Sequence, residues 1–125
     1  MRTDYATFDI QNGTIRRPTH ANTSWDAAKH EVFVHKFCDV SEGSFGVALL
    51  NDSKYGCSVR EGVMGLSLLK APKFPDHEAD MGLHNFVYSL LPHDRALVDS
   101  SVFDEAHRLN TPVWVAVVEP EPEYD

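Results

Sequence analysis

The sequence is poor in cysteine, in basic residues and in long apolar runs. Its 125 residues include two cysteines, Cys38 and Cys57, far apart and in no metal-ligand pattern. Packed free thiols in a reducing compartment are the favoured interpretation, with a disulfide as the alternative. Lysine and arginine number 11 against 19 aspartates and glutamates, which argues against nucleic acid or an anionic membrane surface as a partner. No apolar run approaches the ~20 residues of a membrane span, and residues 1–5 lack the apolar core of a signal peptide.

The short motifs of common catalytic and cofactor sites are also missing. The sequence has no G-x-S-x-G elbow, no P-loop, no G-x-G-x-x-G and no H-E-x-x-H, and its seven histidines include no Cys/His pair at zinc-finger spacing. A glycosidase needs two carboxyl groups facing each other across a cleft. Asp26, Asp52, Asp76 and Asp80 are available for that role, but turn and cap positions are the favoured interpretation. We therefore expect no metal site built by this chain alone.

What the sequence does contain is a series of short alternating segments separated by turn residues. Both faces of segment 30–40 are partly apolar, which suits a strand covered on both sides. A helix is predicted at 102–109, with Ser101 and Asp104 at capping-box spacing. Asn12-Gly13 is a type I′ hairpin signal, and a second hairpin is predicted at Glu61-Gly62. The predicted fold is all-β, an antiparallel β-sandwich with one short helix. Strands are predicted at 7–11, 14–17, 30–40, 46–50, 57–60, 63–70, 84–91 and 113–118.

Polar loops at 17–26, 51–56 and 70–80 are the candidate binding segments. Each contains an aspartate, a basic group and an aromatic ring, and loops at the ends of a sandwich are where binding sites are built. The first loop combines hydrogen-bonding groups with Trp25, a chemistry suited to a sugar ring. A half-buried packing role is the alternative for Trp25. For Lys70 the alternative is an apolar stem packed on the surface with a solvated ammonium group.

Several of these segments together resemble a known family. The blocks 17–26, 31–42, 46–56, 66–73 and 75–84 occur in the order and spacing of the C-terminal β region of α-mannosidases of glycoside hydrolase family 38. The similarity is to the cytosolic and vacuolar type and runs from about residue 7 to residue 109. It implies a parent enzyme that hydrolyses terminal α-mannose with retention, with its catalytic aspartates and its zinc ion bound outside this chain.

The resemblance also implies a division of the chain and a set of site residues. Residues 1–118 are expected to be part of a C-terminal β-sandwich domain, with 119–125 an acidic, proline-rich tail. This part is expected to supply scaffold and one side of the mannose pocket and to be inactive alone. Lys70 occupies the position of a basic residue that approaches substrate in related enzymes, where arginine is expected. Asp76 is expected near Lys70, and the further substrate-binding candidates are Asn22, Trp25, Asn51 and Lys54.

Two other functions stay open on the sequence alone. One is an independent carbohydrate-binding β-sandwich module, and the other is a structural or oligomerisation domain. The expected partners are a mannose-containing oligosaccharide and the rest of an α-mannosidase chain, with a homo-oligomer as an option and neither nucleic acid nor membrane. The expected location is the cytoplasm, or the vacuole by a route without a signal peptide.

Overall fold

Two antiparallel sheets form the frame of the chain in a computed structural model that describes residues 3–118. The larger sheet has the strand order β2-β1-β4-β5-β8 and the smaller one β3-β6-β7. A short α1 (Ser24–Ala28) follows β2, and α2 (Val102–Asn110) follows β8 after a 3₁₀ turn at Leu97–Asp99. The strands are β1 (Tyr5–Ile10), β2 (Gly13–Pro18), β3 (Val32–Phe33), β4 (Phe37–Glu42), β5 (Phe45–Asn51), β6 (Gly56–Arg60), β7 (Val63–Leu66) and β8 (Tyr88–His93).

The central strands β4 and β5 of the larger sheet are buried on both faces. Side chains alternate along a strand, so neighbouring residues of β4 and β5 enter different cores. One face packs on the smaller sheet and the other on α2, which confirms the β-sandwich fold and the two-sided apolar pattern. The cluster between the sheets consists of Ala6, Phe8, Val34, Cys38, Val40, Leu49, Cys57 and Val59. The cluster under α2 consists of Phe37, Ala48, Leu50, Val102 and Ala106.

Both predicted hairpins form, and the first has a different turn geometry from that expected. Ile10 pairs with Gly13 across Gln11-Asn12, and neither turn residue has a positive φ, so the type I′ prediction at Asn12-Gly13 is wrong. The Glu61-Gly62 turn between β6 and β7 has φ values of 50° and 82°. Positive φ at both central residues is the I′ geometry, which matches the right-handed twist of the paired strands.

The predicted strand at 30–40 is two strands in different sheets. β3 belongs to the smaller sheet and β4 to the larger one. Between them the His35 amide donates to Asp9 O over 2.9 Å and the Lys36 amide to Asp9 Oδ2 over 3.0 Å. Side chain and backbone of Asp9 therefore take the hydrogen bonds that a continuous strand would have made, and the chain crosses from one sheet to the other.

Several predicted boundaries at the C-terminal side are corrected. β7 ends at Leu66, not at residue 70, and β8 begins at Tyr88, not at residue 84. Within the described residues 113–118 form no strand, and Trp114 is 94 % exposed. That prediction was wrong because β-forming side chains make a strand only beside a partner strand. The predicted tail at 119–125 lies outside the described residues.

The predicted α2 is present, while its predicted cap is not. Ser101 makes no capping hydrogen bond through its side chain, and Ser100 Oγ instead accepts from the Val102 amide over 3.3 Å. Acidic Asp104 and Glu105 lie in the first turn, where they complement the helix dipole. Among residues 3–118, no helix has the length and apolar character needed to cross a bilayer.

Candidate functional site

A cleft of about 370 Å³ opens where β6 begins and β7 ends. Two of the predicted site residues, Lys54 and Lys70, meet in it although they come from different loops. Lys54 lies in the turn after β5, and Lys70 lies beyond the end of β7. The full lining is Glu31, Lys54, Gly56, Ser67, Leu68, Leu69, Lys70, Asp80 and His84.

Lys54 is held in the cleft by Asn51, the last residue of β5. The buried Asn51 side chain donates from Nδ2 to His35 O over 2.9 Å. Its Oδ1 accepts from the amides of Ser53 at 3.1 Å and Lys54 at 2.6 Å, an Asx-type turn. Lys54 Nζ then lies 4.8 Å from the centre of the Phe86 ring, a cation–π distance. The side-chain amide of Asn51, a predicted substrate contact, thus binds backbone groups instead. These hydrogen bonds fix the position of the Lys54 backbone.

Asp52 ties the same turn to the chain that leads into β8. Its Oδ1 accepts from the Val87 amide over 3.0 Å, and its own amide donates to Val87 O over 3.2 Å. The hydrogen bond from Val87 lowers the pKa of Asp52 below the usual aspartate range. This matches the turn role that the sequence indicated for Asp52.

Glu31 brings a carboxylate to the cleft beside the small residues Gly56 and Ser67. Ser67 Oγ donates to Glu31 Oε2. A Cβ at Gly56 would overlap the Glu31 side chain, so the glycine leaves the space that the carboxylate fills. Within residues 3–118 neither cleft lysine forms an ion pair. Ammonium groups that donate and a carboxylate that accepts are together suited to a ligand rich in hydroxyl groups.

Lys70 is followed by an irregular loop that folds back to the cleft. The Ala71 amide donates to Asp80 Oδ2 over 3.0 Å, and His84 Nε2 lies 2.8 Å from Asp80 O. Asp76 lies in this loop, exposed, and its Oδ1 accepts from the Glu78 amide over 2.9 Å. Asp76 is not among the residues that line the cleft.

The loop at 17–26 is not brought to this cleft. Trp25 is 73 % exposed on α1, with Lys29 Nζ 5.4 Å from the centre of its ring. Asn22 lines a different groove, together with His20 and Arg60. In the same loop Thr23 Oγ1 accepts from the Asp26 amide over 3.1 Å and caps α1. The helix is a feature that the sequence pattern of this loop did not indicate.

The cleft also contains residues that the sequence did not single out as ligand contacts. Glu31 and Ser67 stand 36 positions apart and meet only because β3 and β7 both pair with β6. His84 follows Asp80 closely and lies before β8, although the sequence pattern predicts a strand there. Among residues 3–118 no group of three or more His, Cys, Asp or Glu side chains is placed to hold a metal ion. The side chains that line the cleft supply ammonium, hydroxyl, imidazole and carboxylate groups.

Comparison with known proteins identifies the family of this chain. The sequence profile of the glycosyl hydrolases family 38 C-terminal domain matches residues 1–78. The chain belongs to this family. The match includes Glu31, Lys54 and Lys70 and ends before Asp80 and His84. The resemblance carried by the sequence blocks is confirmed.

Three relatives of this family 38 chain are full-length α-mannosidases by name. It is 51 % identical over 122 residues to alpha-mannosidase 2C1 of Homo sapiens, which is 98 % of the chain and 12 % of that protein. It is 51 % identical over 116 residues to alpha-mannosidase G of Dictyostelium discoideum, 93 % of the chain and 11 % of that protein. For the alpha-mannosidase of Saccharomyces cerevisiae the identity is 51 % over 110 residues, 88 % of the chain and 10 % of that protein. The chain thus spans about a tenth of the length of the curated relatives it matches.

Proposed function

We propose that this chain is part of an α-mannosidase that hydrolyses terminal α-D-mannose residues, and that it supplies scaffold and one side of the mannose pocket. The observation that carries the proposal is the meeting of Lys54 and Lys70 in one cleft of a family 38 chain. The catalytic carboxylates of a retaining glycosidase, and the zinc ion implied by the family, are contributed by other parts of the enzyme.

Each group of the cleft has a defined task in this proposal. The ammonium groups of Lys54 and Lys70 donate to sugar hydroxyl oxygens, because an ammonium group cannot accept. The Glu31 carboxylate, held by Ser67, accepts from a sugar hydroxyl. A lysine at position 70 supplies a single charged point where an arginine would offer a two-pronged contact. Asp76, Asn22 and Trp25 are secondary candidates, since none of them lines the cleft.

An apolar groove of about 280 Å³, which shares Leu68 with the cleft, suits a structural contact. Tyr88 and Leu90 in this groove are 55 % and 63 % exposed, and adjacent exposed apolar side chains are typical of a surface that contacts protein. We propose that the rest of the mannosidase chain covers it, because this chain spans 12 % of its human relative. The groove is lined by Leu49, Met64, Leu66, Leu68, Tyr88 and Leu90.

Which protein covers the groove is tested by measuring the oligomeric state of the chain in solution and the hydrogen exchange of the groove residues. The proposal is supported if the isolated chain is a monomer and if Tyr88 and Leu90 are less exposed in the full-length enzyme than in the isolated chain. A stable dimer protected at these same residues by hydrogen exchange would instead assign the groove to a second copy and make the homo-oligomer the better interpretation.

The proposed role of Lys70 is tested in a full-length enzyme carrying this chain. We expect Lys70→Ala to lower kcat/KM for an aryl α-mannoside by roughly tenfold to a hundredfold, since it removes a hydrogen bond from a charged group. Lys73→Ala is the matched control, because this exposed lysine is in the same loop and outside the cleft lining. Unchanged kinetics for Lys70→Ala would remove Lys70 from the substrate site.

A second candidate function is an independent carbohydrate-binding module. It is favoured by the fact that donors and acceptors for hydroxyl groups already lie together in the cleft of this chain. Calorimetric titration of the chain with mannose or mannobiose separates the two candidates. Saturable binding without the rest of the enzyme favours the module, and absence of binding favours the incomplete pocket.

A cytoplasmic location is part of the same proposal. Cys38 and Cys57 are both free and buried, with their Sγ atoms 3.0 Å apart. Two thiols that stay reduced at this separation are typical of a reducing compartment.

A further inference from the structure

We propose that Asp80 is a positioning residue for Lys70, acting through the peptide group that joins Lys70 to Ala71, and that His84 supports Asp80 in this role. The proposal rests on the proposed function, since it concerns how the sugar-facing ammonium group is held. Asp80 and His84 lie in the cleft, and the hydrogen bonds of their side chains run to backbone atoms of the loop.

Lys70 needs an external support because regular structure ends before it. β7 stops at Leu66, and the Ser67 amide makes the last ladder-like bond, to Gly56 O over 2.9 Å. Lys70 itself is exposed and, within residues 3–118, has no ion-pair partner. A lysine on a free chain would spread its ammonium group over many rotamers and lose that freedom on binding a sugar.

The support reaches Lys70 through the next peptide bond. Ala71 has φ of 47°, a left-handed conformation that an alanine rarely adopts. Its amide donates to the carboxylate of Asp80 over 3.0 Å, and hydrogen bonds to a charged acceptor are among the stronger ones. Because this amide belongs to the peptide that follows Lys70, the bond fixes both the ψ angle of Lys70 and the φ angle of Ala71. Relative to this anchored peptide plane, the direction of the Lys70 Cα–Cβ bond is set by the ψ angle of Lys70.

Asp80 is itself held in place from both sides. Its φ is 60°, again left-handed. The turn before it is closed by the Asp76 carboxylate, which accepts from the Glu78 amide. After it, His84 Nε2 lies 2.8 Å from Asp80 O, and since a carbonyl only accepts, Nε2 carries the proton of that bond. Asp76, expected from the sequence to be near Lys70, thus contributes through the turn that returns Asp80 to the cleft.

The test is a double-mutant cycle in the full-length enzyme with an aryl α-mannoside as substrate. Asp80→Ala is expected to lower kcat/KM about tenfold, the lower end of the loss for Lys70→Ala. Its effect is expected to divide between kcat and KM in the same proportion as that of Lys70→Ala. In the Lys70→Ala background Asp80→Ala is expected to have no further effect, because a positioning residue acts only through the group it positions. Glu78→Ala, an exposed carboxylate of the same turn, is the matched control and is expected to leave kcat/KM unchanged.

The outcomes separate this inference from the proposed function. Wild-type kinetics for Asp80→Ala beside an impaired Lys70→Ala enzyme would overturn the positioning role alone. An additive loss in the double variant would also overturn it, since Asp80 would then act independently of Lys70. Wild-type kinetics for both single variants would overturn the inference together with the proposed function. If Asp80→Ala does not fold, Asp80→Asn carries the same cycle, because its side chain keeps an acceptor without the charge and a loss of about threefold is expected.

Discussion

His93 of β8 binds Asp39 of β4 across the strand that lies between them. The His93 Nε2 to Asp39 Oδ1 distance is 2.8 Å, and the exposed fractions of the two side chains are 5 % and 1 %. His93 Nδ1 lies 2.7 Å from Arg95 O, and Ser41 Oγ donates to Asp39 Oδ2. Both ring nitrogens of His93 therefore face oxygen atoms, one of a backbone carbonyl and one of a carboxyl group. This pair fastens the edge strand β8 to the centre of the larger sheet.

The bridge between His93 and Asp39 depends on Gly46 in β5. A Cβ at this position would overlap the His93 ring and Ser41 Oγ. We therefore expect Gly46→Ala to lower the free energy of unfolding by about 1–3 kcal/mol, the usual cost of overpacking. The measurement is urea unfolding followed by circular dichroism. In a His93→Ala background the added cost of Gly46→Ala is expected to shrink, and an equal cost in both backgrounds would contradict the bridge.

The cysteine pair predicts a defined reactivity. Contact with Cys57 and burial raise the pKa of Cys38 well above the ordinary thiol range, and the thiolate is the reactive form. Because both cysteines are buried, we expect a thiol-specific reagent to modify neither of them in the folded chain and to modify both after denaturation without reductant. A count of zero thiols in denaturant would show that the pair is a disulfide. Cys57→Ser gives the control with a single thiol.

The lowered pKa of Asp52 predicts an acid-sensitive contact between the turn after β5 and Val87. The charged carboxylate accepts from the Val87 amide, so the contribution to stability is complete above the unfolded aspartate pKa of about 3.9 and is lost as pH falls through the lower folded pKa. We expect the amide proton resonance of Val87 to shift with pH, with a midpoint below the ordinary aspartate pKa of about 3.9. Asp52→Asn is expected to abolish this transition. A midpoint at or above the ordinary value would contradict the assignment.

The parts of the fold that the sequence predicted correctly are those determined by neighbouring residues. The Glu61-Gly62 hairpin and α2 depend on local turn chemistry and on an apolar stripe of helical period. The break between β3 and β4 depends on Asp9, which is 27 positions from Lys36 in the chain. A pattern read along 30–40 cannot contain that information. In segment 113–118 the composition favours a strand, but the described residues provide no partner strand for it, and no strand forms there.

The candidate site follows the same division. Lys54 and Lys70 were named from loop chemistry and from the family resemblance, and the fold places them in one cleft. Glu31 was missed because its contact with Ser67 depends on how three strands pair. Trp25 has the right chemistry for a sugar contact, but α1 presents it on a different part of the surface. Sequence reasoning identified suitable side chains, and strand pairing decided which of them meet.

The central strands of the larger sheet are buried on both faces, and they can therefore pair in only one register. Along β4 the buried carboxylate of Asp39 lies between Cys38 and Val40, whose side chains enter the opposite core. A slip of one residue would move Asp39 into the apolar space between the sheets, where a carboxylate has no partner. The same alignment pairs Phe37 with Leu50 and so fixes where Asn51 ends β5 and releases the turn that carries Lys54. An insertion or deletion in β4 would therefore displace a cleft lysine without touching any residue of the cleft.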